Sequence, residues 1–260
     1  MPSIFRPLCR CFVFAGLLFS FACVASADTA DLKMTFKFDG DPPESKKVVA
    51  DKDAAFCGKH DIPNESLVVD PQTKAVKNIV VYVYTGRGGS KLDKDLLEPA
   101  SNTHTLANDK CRFEPHIVIT QAGDKLDVTN PDAVTHNVNL PFFNNDQVNL
   151  TIPPGQKVTI DVEDAEPAPI PAACNIHPWM TAKVLVLEHP FGAASNDEGT
   201  LTITGLPAGE DLVFRVYHET LSLKELKGLE GADSIELKRS NFEIELEPGM
   251  NDLGTFAVGG

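Results

Sequence analysis

The sequence predicts an all-β protein, a Greek-key sandwich flanked by a second β-sandwich module. Three observations carry that prediction. Nearly every periodic segment alternates with period two or is a short apolar run. Turn residues interrupt these segments at short intervals, as at Gly123-Asp124, Asn130-Pro131-Asp132 and Pro153-Pro154-Gly155. Residues 112–187 string several short strands together with a turn at each interval, the rhythm of a Greek-key sandwich.

Residues 1–27 read as a secretory leader. Arg6 and Arg10 form a basic start, residues 11–24 an apolar stretch, and Ala25-Ser26-Ala27 a small-residue cleavage site before Asp28. The lipoprotein variant is disfavoured, because Ser20-Phe21-Ala22 before Cys23 lacks the usual leucine. An uncleaved anchor is the alternative, since residues 11–27 are uncharged and reach the lower limit of a membrane span. Either way the body of the chain is expected to be exported, to a periplasm or outside the cell, with no membrane span once the leader is cut.

The remainder divides into three stretches. Residues 28–104 are an N-terminal β segment. Within it, 34–38 alternate and stop at Gly40-Asp41-Pro42-Pro43, and 79–84 form an apolar run suited to burial on both faces. Residues 85–110 are polar and Gly-rich, expected to be a loop with one helical turn near 92–97. Residues 105–189 are the most regular. There Ile117 and Ile119, then Leu126 and Val128, then Val134, His136, Val138 and Leu140 each share one face. Val148, Leu150 and Ile152 follow, then Val158, Ile160 and Val162. A Pro-rich loop over 166–171 leads into Cys174, and 182–187 close the block. Residues 190–260 hold strands at 201–203 and 212–218, an expected short helix over 221–229, and an expected hairpin. The hairpin pairs 235–237 with 242–246 across Lys238-Arg239-Ser240-Asn241.

The chain of 260 residues carries 23 basic and 37 acidic side chains, a formal net charge of -14, and losing Arg6 and Arg10 with the leader deepens it. Such a surface argues against nucleic acid and anionic membrane, both of which reward basic patches. It suits solubility and a basic protein partner, although acidic charge alone is more often a solvated face than a docking site. Cysteines become informative after processing. Cys9, Cys11 and Cys23 leave with the leader, so Cys57, Cys111 and Cys174 remain. In an oxidising compartment two of them pair. Cys174 has ligand-type neighbours, so Cys57–Cys111 is the expected disulfide.

Those neighbours are the most specific feature of the chain. Cys174-Asn175-Ile176-His177-Pro178-Trp179-Met180 offers a thiolate, an imidazole and a thioether in one loop between strands. That soft donor set selects copper among biological metals. His136 lies on the inward face of its strand, and a core-facing imidazole needs a partner for each ring nitrogen. A metal on one and a hydrogen bond on the other satisfies both. His136, Cys174, His177 and Met180 are therefore the candidate ligands of one copper ion per chain.

With these residues in view, the block from Cys111 to Glu188 resembles the cupredoxins, the family of plastocyanin, azurin and amicyanin. Arg112-Phe113-Glu114-Pro115, Gly123-Asp124-Lys125-Leu126, Thr135-His136-Asn137-Val138 and the cysteine loop carry the resemblance. The short loop is most similar to that of amicyanin, whose partners belong to methylamine oxidation; chains of this kind often bear a methylamine-utilisation label, which does not establish that substrate. The resemblance implies His136 as first ligand, Cys174 as thiolate, His177 as the solvent-edge imidazole through which electrons leave, and Met180 as axial ligand. It implies that Asn137 ties the first-ligand segment to the cysteine loop. One departure is Pro171-Ala172-Ala173 before the cysteine, where relatives often carry an aromatic residue; it bears on loop packing and reduction potential. The tail from Gly199 to Gly209 is similar to the carboxypeptidase-regulatory-like (prealbumin-like) sandwich, with residues 34–84 as its expected partner strands.

The function this implies is an exported, non-enzymatic blue (type 1) copper protein, plastocyanin-like, that shuttles single Cu(I)/Cu(II) electrons between redox proteins such as a c-type cytochrome or a periplasmic dehydrogenase. The alternative is a copper-binding β-sandwich module or a copper chaperone. Multicopper-oxidase chemistry needs a His-Cys-His triple and the binuclear centre of cytochrome oxidase a second loop cysteine, and neither occurs here. Among the other histidines, His60 and His104 are expected in exposed loops, His116 as structural rather than a further ligand, and His218 as a satisfied core or interface residue. Pro141-Phe142-Phe143 and Pro178-Trp179 form either an apolar docking rim or an internal cap.

Overall fold

Strands make up nearly all the regular structure of the computed structural model, which describes residues 29–44 and 47–259. The expected leader over 1–27 lies outside the described residues. Among the described residues, no helix is long and apolar enough to cross a membrane. The strands in chain order begin with β1 (Thr29–Phe38), β2 (Val80–Val83), β3 (Thr103–Asp109), β4 (Arg112–Glu114), β5 (Ile117–Gln121) and β6 (Asp124–Thr129). Next come β7 (His136–Leu140), β8 (Val148–Ile152), β9 (Lys157–Val162), β10 (Ile170–Ala173), β11 (Thr181–Leu187) and β12 (Gly192–Ala194). The last are β13 (Thr200–Pro207), β14 (Asp211–Tyr217), β15 (Glu225–Leu229), β16 (Ile235–Glu236), β17 (Asn241–Glu245) and β18 (Gly249–Val258).

They form two sandwiches. In the first, the sheet β13-β1-β18-β15-β16 faces the sheet β12-β2-β14-β17. Strand β1 alternates strictly, burying Ala30, Leu32, Met34 and Phe36 against Phe214, Phe242 and Phe256. It pairs antiparallel with β13 and parallel with β18, so strands from both ends of the chain share one sheet. In the second, β4-β3-β6-β9 faces β5-β11-β10-β7-β8. Its core joins Leu106, Phe113, Leu126, Val128 and Val162 to Val138, Leu140, Ile152, Val184 and Val186. Each such side chain contributes about 1.5–3 kcal/mol on burial.

A third, smaller cluster seals one sandwich to the other. Strand β2 is buried on both faces as its apolar run implies: Val81 and Val83 enter the first core, while Val80 and Tyr82 meet Ile117, Leu185 and Leu187 of the second sandwich. The seam also carries buried polar groups. His116 Nε2 is 2.6 Å from Glu219 Oε1, and Lys183 Nζ is 3.4 Å from Glu219 Oε2.

Several sequence expectations are corrected. The stretch 85–110 is not all loop. Besides a 3-10 turn at Lys94–Leu96, it holds β3, which pairs in parallel with β6 at Thr103↔Lys125 through Ala107↔Thr129. The Pro-rich run is strand from Ile170 onward. The helix over 221–229 does not form. Its leucine spacing instead places Leu226 in the first core, and Lys227, Gly228 and Leu229 pair with β18. Gly228, a poor helix former, is required there because a Cβ would lie 1.9 Å from Ala232 O. The expected hairpin has its tight turn, with Arg239 and Ser240 at φ 55 and 65 and a Lys238↔Asn241 bridge. Its arms then separate: β16 joins β15 in one sheet, and β17 joins β14 in the other.

Candidate metal centre

Three neighbouring strands build one end of the second sandwich. Strand β7 opens at His136, pairs with β8 along its length, and touches β10 at Asn139↔Ala173. Strands β10 and β11 form an antiparallel pair, and the seven residues of the cysteine motif connect them. Within that loop Met180 N donates to His177 O (2.9 Å) and Cys174 N to Met180 O (3.2 Å). The loop is thereby closed on itself, with Cys174, His177 and Met180 turned inward at 1, 0 and 1 % exposure.

Three of the four side chains expected to bind metal converge, and Met180, the fourth, is buried in the same loop. Ligand atoms of His136, Cys174 and His177 all lie within 4.8 Å of one another, and all three residues are buried. His136 Nδ1 and His177 Nδ1 are 3.0 Å apart, and Cys174 Sγ is 3.8 Å from His177 Nδ1. The outer nitrogens are committed elsewhere: His136 Nε2 to Asp132 Oδ2 (2.9 Å) and His177 Nε2 to Asp53 Oδ2 (2.9 Å). An ionised carboxylate only accepts, so each imidazole donates a proton from Nε2, and Nδ1 is the atom left to face the other ring and the sulfur. Two such Nδ1 atoms 3.0 Å apart beside a thiol sulfur need a proton or a metal cation between them. This donor set fits a soft-to-borderline metal ion such as copper.

The local electrostatics agree. Burial raises the Cys174 thiol, but hydrogen bonding to His136 and to the amides of Asn137 and His177 outweighs it and leaves the thiol below its ordinary value. Those amides lie 3.4 Å from the sulfur. Burial lowers His136, and contact with Asp132 and Cys174 more than offsets this, so its imidazole stands above its ordinary value. His177 stands below, through burial and the neighbouring His136, with Asp53 acting in the opposite direction.

Asn137 bridges three segments. Its Oδ1 accepts from Asn175 N and its Nδ2 donates to Asn149 Oδ1, so the first-ligand strand, the cysteine loop and β8 are laced together. The expected Cys57–Cys111 disulfide is formed, and Cys174 is a free, buried cysteine. His177 departs from expectation. Its side chain is fully buried rather than at the solvent edge, with Asp53 over its outer nitrogen.

Two carboxylates escaped the sequence reading. Asp132 looked like a turn residue, but it accepts from Lys110 N and Cys111 N (both 2.8 Å) as well as bonding His136. The only clue was its spacing four residues before His136. Asp53 had no signal at all, being 124 residues from His177 in sequence. A grouping of Cys111, Asp132 and His136 also has metal-like spacing, but the Cys111 sulfur is consumed by the disulfide. Other histidines are placed plainly. His116 bonds Glu219 in the seam, away from the cysteine loop. His104 is not a loop residue but lies on β3, where it meets Asp124 at 2.9 Å. His60 is half-buried against Phe56. The apolar rim splits, with Phe143 80 % exposed and Phe142 internal, while half-buried Trp179 donates to Cys111 O (2.9 Å).

No family model matches the chain, and no curated protein matches it. Its structural neighbours include cupredoxins. A mutant of amicyanin in the Cu(I) state is 22 % identical, covering 32 % of this chain and 79 % of its own at a TM-score of 0.28. A purple cupredoxin from Nitrosopumilus maritimus is 20 % identical over 32 % of this chain and 97 % of its own, with a TM-score of 0.27. A copper-containing nitrite reductase from Thermus scotoductus SA-01 is 16 % identical over 37 % of this chain and 27 % of its own, with a TM-score of 0.31.

Proposed function

We propose that this chain is an exported carrier of single electrons that holds one copper ion through His136 Nδ1, His177 Nδ1, the Cys174 thiolate and the Met180 thioether. One observation carries the reading: two buried imidazoles, each fixed by a carboxylate on Nε2, turn their Nδ1 atoms towards a buried free cysteine. When bound, copper supplies a one-electron Cu(I)/Cu(II) couple. The chain's part is to hold the donors still. Asp132 and Asp53 fix the rings, the Asn137 and His177 amides fix the sulfur, and the closed loop between β10 and β11 fixes the spacing. A donor set held this rigidly changes little between oxidation states, which suits transfer of an electron without bond-making. The buried Cys57–Cys111 disulfide supports an oxidising, exported location. The acidic chain suits a basic redox partner, such as a c-type cytochrome or a periplasmic dehydrogenase.

The test is reconstitution of the purified chain with one equivalent of Cu(II). An intense visible absorption that bleaches on reduction and returns on oxidation is expected. A colourless copper complex overturns the assignment, and a coloured complex that cannot be cycled turns it into a copper-binding module.

A further inference from the structure

We infer that Asp53 is the positioning residue of His177, and that the cap bearing it, residues 47–63, belongs to the metal centre of the second sandwich. The inference rests on the copper reading above. His177 has no exposed side-chain surface, and its Nε2 lies 2.9 Å from the carboxylate of Asp53, itself 47 % exposed. A minimal sandwich of β3 to β11 lacks this group; the N-terminal segment supplies it.

The cap is anchored for that task. Its base is closed by a Lys47↔Pro63 bridge and by Val48 N donating to Ile62 O (3.0 Å). Asp53 has a left-handed backbone (φ 44), and its carbonyl accepts from Phe56 N (2.8 Å) and Cys57 N (2.9 Å), which leads its backbone directly into the short 3-10 turn Cys57–Lys59. Cys57 is then joined covalently to Cys111. Cys111 in turn donates its amide to Asp132 and accepts from the Trp179 indole, whose ring lies 5.2 Å from the His177 ring. Both carboxylates that fix the imidazoles are therefore tied to one residue, Cys111. Val48 and Ile62 of the cap also line a 220 Å³ cleft against Trp179 and Met180.

Two consequences separate this role from mere packing. Asp53 selects the Nε2–H form of His177 and so keeps Nδ1 available; outer groups of this kind typically change metal affinity by roughly 10–100-fold. Its negative charge also favours the more positive oxidation state, so its loss weakens Cu(II) binding more than Cu(I) binding. Asp53→Asn keeps an acceptor for Nε2–H and removes only the charge, whereas Asp53→Ala removes both.

The experiment uses the full mature chain. In the metal-free protein, nitrogen NMR of the histidines is expected to show His177 protonated on Nε2 in the wild type and in Asp53→Asn, with that signal lost in Asp53→Ala. Chelator competition is then expected to give roughly 10–100-fold weaker Cu(II) binding for Asp53→Ala and a smaller loss, confined to Cu(II), for Asp53→Asn. A wild-type His177 protonated on Nδ1, or an Asp53→Ala chain binding Cu(II) within twofold of wild type, overturns the inference. If the wild type takes no copper but the imidazole signals follow Asp53 as described, the copper reading falls and the positioning role stands.

Discussion

Two regions of the molecule bury histidines, and they finish them differently. At the seam between the sandwiches, His189 Nε2 donates to Val83 O (2.9 Å) and its Nδ1 accepts from Phe191 N (3.2 Å). His218 Nδ1 accepts from the amides of Thr220 and Leu221, both at 3.2 Å. Burial, the first cause in each case, pushes both imidazoles down to about 4. At the cysteine loop, His136 and His177 are completed only on Nε2, by carboxylates, and their Nδ1 atoms face one another. Neutral backbone partners make a structural histidine. A carboxylate on one nitrogen is not enough by itself: His116 of the seam has Glu219 on Nε2 and an unpartnered Nδ1, yet among the described residues it joins no cluster of donors, whereas His136 and His177 converge with Cys174.

The comparison breaks most completely at Cys174. Cys174→Ser is expected to abolish the visible absorption of the copper-loaded chain while leaving its metal-free unfolding midpoint near wild type. Absorption that survives the substitution removes the thiolate from the centre. Next in size is the double change Cys57→Ser and Cys111→Ser. The bridge closes a separation of 54 residues, and its loss is expected to cost roughly 4 kcal/mol in denaturant unfolding. It should also weaken Cu(II) binding, because the Asp53 cap loses its anchor; unfolding at the wild-type denaturant concentration would contradict this.

Acid acts on the seam instead. His189 and His218 have folded-state values of about 4, below the ordinary 6.5. The stability tied to keeping them neutral is whole above pH 6.5 and is lost as the pH falls towards 4. For His189, at 1 % exposure, that loss is about 3 kcal/mol. His218 adds a similar contribution, although Glu219 beside it pulls the other way and His116 pulls with burial. Urea unfolding at pH 7 and pH 4.5 measures it, and His189→Gln should flatten the dependence. A smaller loss, about 2 kcal/mol, is expected for Asp132→Asn in metal-free protein, since one charged acceptor serving two amides and His136 is replaced by a neutral one. A midpoint unchanged by that substitution would mean that Asp132 does not carry those bonds in solution.

Local signals were legible and long-range ones were not. The alternation of Leu126 and Val128 and of Val158, Ile160 and Val162 reads directly as β6 and β9 because side chains on a strand take opposite faces in turn, and the apolar run through 182–187 reads as the buried β11. The cysteine loop was legible because its donors are contiguous. Strand β3 was not: Thr103, His104, Thr105 and Asn108 are polar, and its pairing with β6 is parallel, a partner no local pattern names. Residues 221–229 misled because leucines at 221, 226 and 229 mimic a helical face, while the edge of β18 that they join lies elsewhere in the chain. The buried state of His177 depends on Asp53, and nothing near either residue in sequence announces the other.

Trp179 is the single tryptophan of the chain, and its indole touches the centre twice, through the Cys111 carbonyl and against the His177 ring. Selective excitation of indole emission therefore illuminates one place only. Quenching on Cu(II) loading, partial recovery on reduction, and a red shift when the Cys57–Cys111 bridge is opened would each be read from the same fluorophore. The protein carries a built-in optical reporter of its own cap and loop, with no label needed.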